Sequence, residues 1–112
     1  MNGGGKGELR VDPTHEAAFV GNAGNTVRLA LKGPPGAAIA AASYVEGSGA
    51  YAVALAVSAD GQHFSFQIPS GIATLQVILQ GMIRPGIHSL VEEQNELIRF
   101  QSEVQAITIR GE

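Results

Sequence analysis

Acid–base, nucleophilic or metal chemistry in this 112-residue sequence would have to come from three histidines, ten carboxylates and its hydroxyls. The histidines His15, His63 and His88 stand far apart, with neither a His-x-His nor a His-Glu-x-x-His spacing to put two zinc ligands on one strand or helix face. His63 alternates with Ser65 and Gln67, the polar side of a strand, and reads as a solvated strand residue. Glu92 and Glu93 are neighbours, so in a helix or a strand they point to different sides and form a solvated charged face, not an acid and base pair. Gly47-Ser48-Gly49 lacks the second spacer of a Gly-x-Ser-x-Gly nucleophile elbow and reads as a hairpin loop. Gly3-Gly4-Gly5-Lys6-Gly7 has neither a Ser/Thr after its lysine nor a preceding strand, so it is an arm, not a phosphate loop. Asp12, Glu46 and Asp60 could offer oxygens to calcium, but no Asp-x-Asp-x-Asp run gathers them, and Asp12-Pro13-Thr14 starts a turn. Zero cysteines remove disulfides, thiolate catalysis and cysteine-bound zinc together. The expectation is a chain with no catalytic residue, no cofactor and no metal, hence not an enzyme.

Composition narrows the partners. Seven Lys+Arg against ten Asp+Glu give a net charge of −3, too little positive charge to bind nucleic acid by releasing phosphate counterions. No Trp, two Tyr and four Phe leave few rings for sugars or unpaired bases to stack on. The densest apolar run, 50–57, is far short of the roughly 18 residues of a membrane helix. The opening glycines have no apolar core and so make no secretory signal. If Met1 is native, this places the protein in the cytoplasm or in a particle assembled inside the cell; otherwise secretion stays open.

The elements that must position any site are strands. Residues 1–7 hold four glycines and form a flexible arm, and 8–112 form one domain. Thr26 to Lys32 alternates Val27, Leu29 and Leu31 with smaller or charged residues, the pattern of a half-buried strand. Tyr51, Val53, Leu55 and Val57 make the large face of a second strand. Across Asp60-Gly61, a hairpin signal, Phe64, Phe66 and Ile68 make the matching face of a third. Leu75, Val77 and Leu79 line a fourth. Residues 37–45 fit a strand buried on both faces better than an Ala-rich helix. Over 87–98, Ile87, Leu90, Val91, Leu97 and Ile98 fit helical spacing, the alternative being a hairpin turned at Glu-Gln-Asn-Glu. Ile98 and Phe100 are even while Ile107 and Ile109 are odd, so the inward phase slips near Ser102-Glu103 through a bulge or a turn. Seven or eight short strands with turns between them predict a mainly β fold, an antiparallel Greek-key sandwich of Ig-like or transthyretin-like kind.

The run Ser58-Ala59-Asp60-Gly61-Gln62-His63-Phe64-Ser65-Phe66-Gln67-Ile68-Pro69-Ser70-Gly71, with Thr74-Leu75-Gln76-Val77 and Gly81, resembles the D-G-x-F-x-F-x-x-P-x-G-x-Y-x-L-x-V segment of carboxypeptidase regulatory-like, transthyretin-like sandwiches. His63 is one residue extra, and Ala73 stands where that family usually has an aromatic. The resemblance implies a non-catalytic accessory or adhesive module.

Between Gly33 and Ile83 only Glu46 and Asp60 are charged, so the middle is core or is docked against something. Ala52, Ala54 and Ala56 lie opposite the large residues of their strand, where a monomer's outer face is normally polar. Those alanines, with Tyr44 and Tyr51, are the candidate interface. The expected function is a non-enzymatic structural module with protein partners: a self-associating subunit of a virion, tail, decoration layer or cell-surface array. The alternative is a secreted ligand- or carbohydrate-binding accessory domain using Tyr44 and Tyr51 around the Glu46-Gly47-Ser48-Gly49 loop.

Overall fold

A computed structural model describes residues 9–11, 18–47, 51–81, 88–92, 95–100 and 102–112. The arm at 1–7, His15, Asp12, Ile87 and the Glu93 side chain lie outside them. Among the described residues there are ten strands and no helix: β1 Arg10–Val11, β2 Phe19–Gly21, β3 Thr26–Lys32, β4 Ala38–Glu46, β5 Val53–Ala54, β6 His63–Gln67, β7 Gly71–Gln80, β8 Ser89–Glu92, β9 Asn95–Arg99 and β10 Val104–Gly111. They build a six-stranded sheet, β1-β2-β10-β7-β4-β5, and a four-stranded sheet, β6-β3-β8-β9. All pairings are antiparallel except β2 with β10.

Alternation decides which side chains face inward. Val27, Leu29, Phe64, Phe66 and Leu90 come from the four-stranded sheet, and Ile39, Leu75, Val77, Leu79, Ile107 and Ile109 from the six-stranded one; all join one hydrophobic cluster. Burying each such side chain stabilises the fold by about 1.5–3 kcal/mol. Large apolar residues meet solvent at the edges of the six-stranded sheet, Val11 on β1 at 67% exposure, Val53 on β5 at 46% and Tyr51 just before it at 84%, and on its inner strands at Ile72 on β7 and Val104 on β10.

Three expectations change. The strand over 51–57 contracts to Val53–Ala54, and only a lone bridge, Val57 to Phe64, joins it to β6, because β5 belongs to one sheet and β6 to the other. The helix over 87–98 is instead the β8–β9 hairpin. Leu90 and Val91 are on opposite faces of β8 and both buried, and the register passes from Leu90–Ile98 to Val91–Glu96, which makes Leu97 the extra residue of a bulge on β9; together these imitate helical spacing. The phase slip near Ser102 is the chain leaving the four-stranded sheet at Arg99 and entering the six-stranded one at Val104. The strand count rises to ten because β1, β2 and β5 are too short to show a period. The strand expected over 37–45 is present as β4, but it is not buried on both faces: Ala40 and Ala41 are exposed and Ser43 and Val45 half-buried, because nothing among the described residues packs over that side.

The Asp60-Gly61 turn docks on β4. Gly61 has φ 71°, its carbonyl accepts the Ile39 N–H at 2.7 Å, and a Cβ there would stand 2.8 Å from that of Ala38. Gly61→Ala therefore combines left-handed strain with a clash. It should cost about 1–2 kcal/mol in denaturant unfolding, and an unchanged midpoint would show that the turn does not need glycine.

Candidate interaction face

The groups that could have done chemistry are occupied in structural roles. The Ser58 hydroxyl donates to Asp60 Oδ1 at 2.6 Å and accepts from the His63 N–H at 3.0 Å, while Asp60 Oδ1 also accepts the Gln62 N–H at 3.1 Å. His63 Nδ1 stands 4.0 Å from the same carboxylate oxygen. Serine, aspartate and histidine thus share one loop, but the hydroxyl is turned to the carboxylate, so no imidazole is placed to take its proton. The cluster clamps a turn. The Ser58 hydroxyl first, and the Gln62 N–H second, hold the Asp60 carboxyl below its ordinary range. A depressed acid stabilises the fold above its unfolded pKa, about 3.9, and that contribution is lost as pH falls through the lower folded value. Asp60→Asn should flatten this acid limb of a melting-temperature profile, and an unaltered limb would remove the clamp.

His63 is half-buried on the outer side of the four-stranded sheet, opposite Ala30. His88 is 2% exposed, with no hydrogen-bond partner for Nδ1 among the described residues, and its carbonyl accepts the Phe100 N–H at 2.7 Å. A cleft of about 250 Å³ lies between the Gly33-Pro34-Pro35-Gly36 turn and Gln62. Its lining has no ionisable side chain, and the Gln62 amide is committed to the Ala37 and Asp60 carbonyls. Among the described residues no three His, Asp or Glu gather where they could hold a metal.

The outer faces of the two sheets differ in chemistry. The four-stranded sheet turns outward Arg28, Lys32, His63, Glu96 and Arg99, and Arg99 Nε donates to Glu96 at 2.8 Å. The Arg99 hydrogen bond, then that of Ser89, holds the Glu96 carboxyl low. This is an ordinary solvated surface.

The six-stranded sheet is bare. Inward Ala73, Leu75, Val77 and Leu79 fix Ile72, Thr74, Gln76 and Ile78 as outward on β7. Register then builds rows across the strands: Val104, Ile78 and Ala41; Ala106, Gln76, Ser43 and Ala54; Thr108, Thr74 and Val45. None carries a charge. At one end Arg110 lies beside Ile72 and, with Arg10, reaches Glu112 at 3.2 and 3.3 Å. β4, β7 and β10, at about 4.8 Å spacing and roughly 20–25 Å of length, make about 290–360 Å² of flat surface, to which the two-residue β5 adds Ala54.

Ala54 belongs to this face by pairing with Ser43; Ala52 and Ala56 lie outside β5 and are exposed, Ala56 where the chain crosses to pair Val57 with Phe64 of the other sheet. Tyr44 points to the other side and packs against the core, whereas Tyr51 is exposed at the edge. The structure thus places Ala54 alone of the three alanines in a paired row and does not join the two tyrosines into a platform. The extension over β4, β7 and β10 escapes sequence reasoning, since Gln76, Thr108 and Ala106 meet only through register. No family model matches this chain, nor does any curated protein or any solved structure. No helix of the described residues is long and apolar enough to cross a membrane.

Proposed function

We propose that this protein is a non-enzymatic structural subunit that holds protein partners in a larger assembly, such as a virion, a tail, a decoration layer or a cell-surface array, through the outer face of its six-stranded sheet. The carrying observation is the uncharged face spanning Ala54, Ser43, Gln76 and Ala106, on a molecule whose other sheet is normally charged. The largest apolar patch on a typical monomer covers roughly 300–600 Å² and often marks a contact site; this face, Ala, Val and Ile set among Thr, Ser and Gln, is of that size. On architecture, we read the two sheets as a face-to-face sandwich with Greek-key crossings, supported by the cluster that both supply and by a chain that changes sheet between β2 and β3, β3 and β4, β5 and β6, β6 and β7, β7 and β8, and β9 and β10.

Gln76→Glu tests the reading with a near-isosteric change that adds only charge. Native-size chromatography of extracts from the source should carry the wild-type chain in a large complex and the variant as a free subunit. Both eluting at the size of the 11.6 kDa chain would overturn it. The alternative, a ligand- or carbohydrate-binding accessory domain, would have to work from Tyr51 without Tyr44. Glycan binding that vanished in Tyr51→Ala would favour it.

A further inference from the structure

We infer that His88 is an acid-operated lock on the β8–β9 hairpin: protonation of its ring opens the hairpin from β3 and, through Glu92, loosens the N-terminal strand β1. Buried polarity is concentrated in one place. Among the described residues the buried polar side chains are His88, Ser89 and Glu92, all on β8 or at its entry. Leu90 faces the core, so alternation turns His88 and Glu92 inward with it and Ser89 outward, where it hydrogen-bonds Glu96.

The surroundings of the ring accept one charge state. His88 is 2% exposed, and its Nδ1 has no hydrogen-bond partner among the described residues. A neutral imidazole can leave that nitrogen as a bare acceptor, whereas the protonated ring must place an N–H there with nothing to receive it. A buried, unpaired cation is far more costly than an unused lone pair. No neighbour compensates. Phe100 pairs with His88 from β9, the β3 register runs on to Gly33 beside it, and Leu31 and Leu90 follow on the same face. The side chains that the six-stranded sheet adds to the core are apolar apart from the Tyr44 hydroxyl, and its Glu46 and Glu103 are exposed. Glu92 shares the face of His88 but lies four residues on, about 13 Å along the strand. Lys32, Glu96 and Arg99 are on the sheet's other side. Opening lets water reach the ring, so the open state takes the proton more readily and opening grows as pH falls.

The hairpin is lightly held. β8 meets β3 only where Val91, Leu90 and Ser89 pair with Ala30, Leu31 and Lys32, and His88 stands next to the last of these pairs, whereas β7 is paired along most of its length on both sides. At the far end of β8, Glu92 Oε1 accepts the Leu9 N–H at 3.1 Å, a buried bond from the four-stranded sheet to the chain entering β1. The strand pairs of β1 are Arg10 with Val20 and Val11 with Phe19. Lifting β8 therefore loosens β1.

Amide exchange of the full chain, followed by NMR at about pH 7.5 and about pH 5 and corrected for the intrinsic pH dependence of exchange, reads the lock. The Phe100 N–H, accepted by the His88 carbonyl at 2.7 Å, and the Leu9 N–H should exchange faster in acid, by up to about tenfold per pH unit below the ordinary histidine range, the limit for one proton. The Leu75 and Val77 amides of β7 should stay protected. His88→Gln and His88→Phe, neutral at both pH values, should abolish the acid response, and His63→Gln on the outer face should keep it. A response that survives both His88 variants would overturn the inference, as would no response at all. Loss of protection in β7 together with Phe100 would overturn it too, because the whole domain would then be unfolding. The wild-type ring gives a reading that needs no variant: a His88 whose ring-proton shifts report protonation while the Phe100 amide stays protected would show that no lock exists.

Discussion

Phe66→Ala is expected to lower the unfolding free energy by about 3–5 kcal/mol, the usual cost of emptying an aromatic site in a packed core. The ring is 5% exposed, lies across from Val27, and stacks on Phe64 with centroids 6.3 Å apart and planes 24° from parallel. Truncation loses the transfer energy of the ring and that aromatic contact, and leaves a void between sheets that neighbouring strands cannot close without breaking register. A domain of this size is stable by about 5–15 kcal/mol, so the variant should be marginal at room temperature. Ser65→Ala, one residue away on the outer face, should change stability by less than about 0.5 kcal/mol. Denaturant titrations of both variants check the register: a loss below about 1 kcal/mol for Phe66→Ala would put its ring outside.

That contrast rests on a pattern visible in the amino-acid order. Period two is enough to turn Val27 and Leu29, Phe64 and Phe66, and Leu75, Val77 and Leu79 inward, and all seven are buried. It fails where strands are shorter than one period or carry an irregularity. Arg10–Val11 and Phe19–Gly21 are held by partners distant in sequence, β2 lying parallel to β10, and no local propensity announces such a pairing. At Leu97 and Ile98 a bulge breaks the alternation, and helical spacing becomes the better fit to a hairpin. The candidate face divides in the same way. Ala52, Ala54 and Ala56 stand out because small residues occupy the side opposite larger ones. Ser43, Gln76 and Ala106 are ordinary strand residues until register lines them up beside Ala54.

Ala54→Glu should abolish association while leaving the chain folded. On the free chain the position is exposed, so the new carboxylate stays hydrated and stability should move by less than about 0.5 kcal/mol. An interior position would have given unfolding instead, and the exposure of Ala54 removes that outcome. In the assembly the carboxylate must give up water in a row with Ser43, Gln76 and Ala106, none of them a cation. Burying an uncompensated charge is unfavourable by several kcal/mol, and each 1.4 kcal/mol is tenfold in affinity, so association should weaken at least about 100-fold. The effect should reverse with acid, because desolvation and like charge both raise the pKa of a carboxyl. As pH falls through a value above the ordinary 4.3, the protonated variant should associate again. Ala54→Gln, of the same size without the charge, should associate at neutral pH far more tightly than the Glu variant. Circular dichroism and sedimentation velocity at neutral and acid pH, with the wild type as reference, read all of this. A folded Ala54→Glu variant that associates like the wild type at neutral pH would exclude the face as a contact surface.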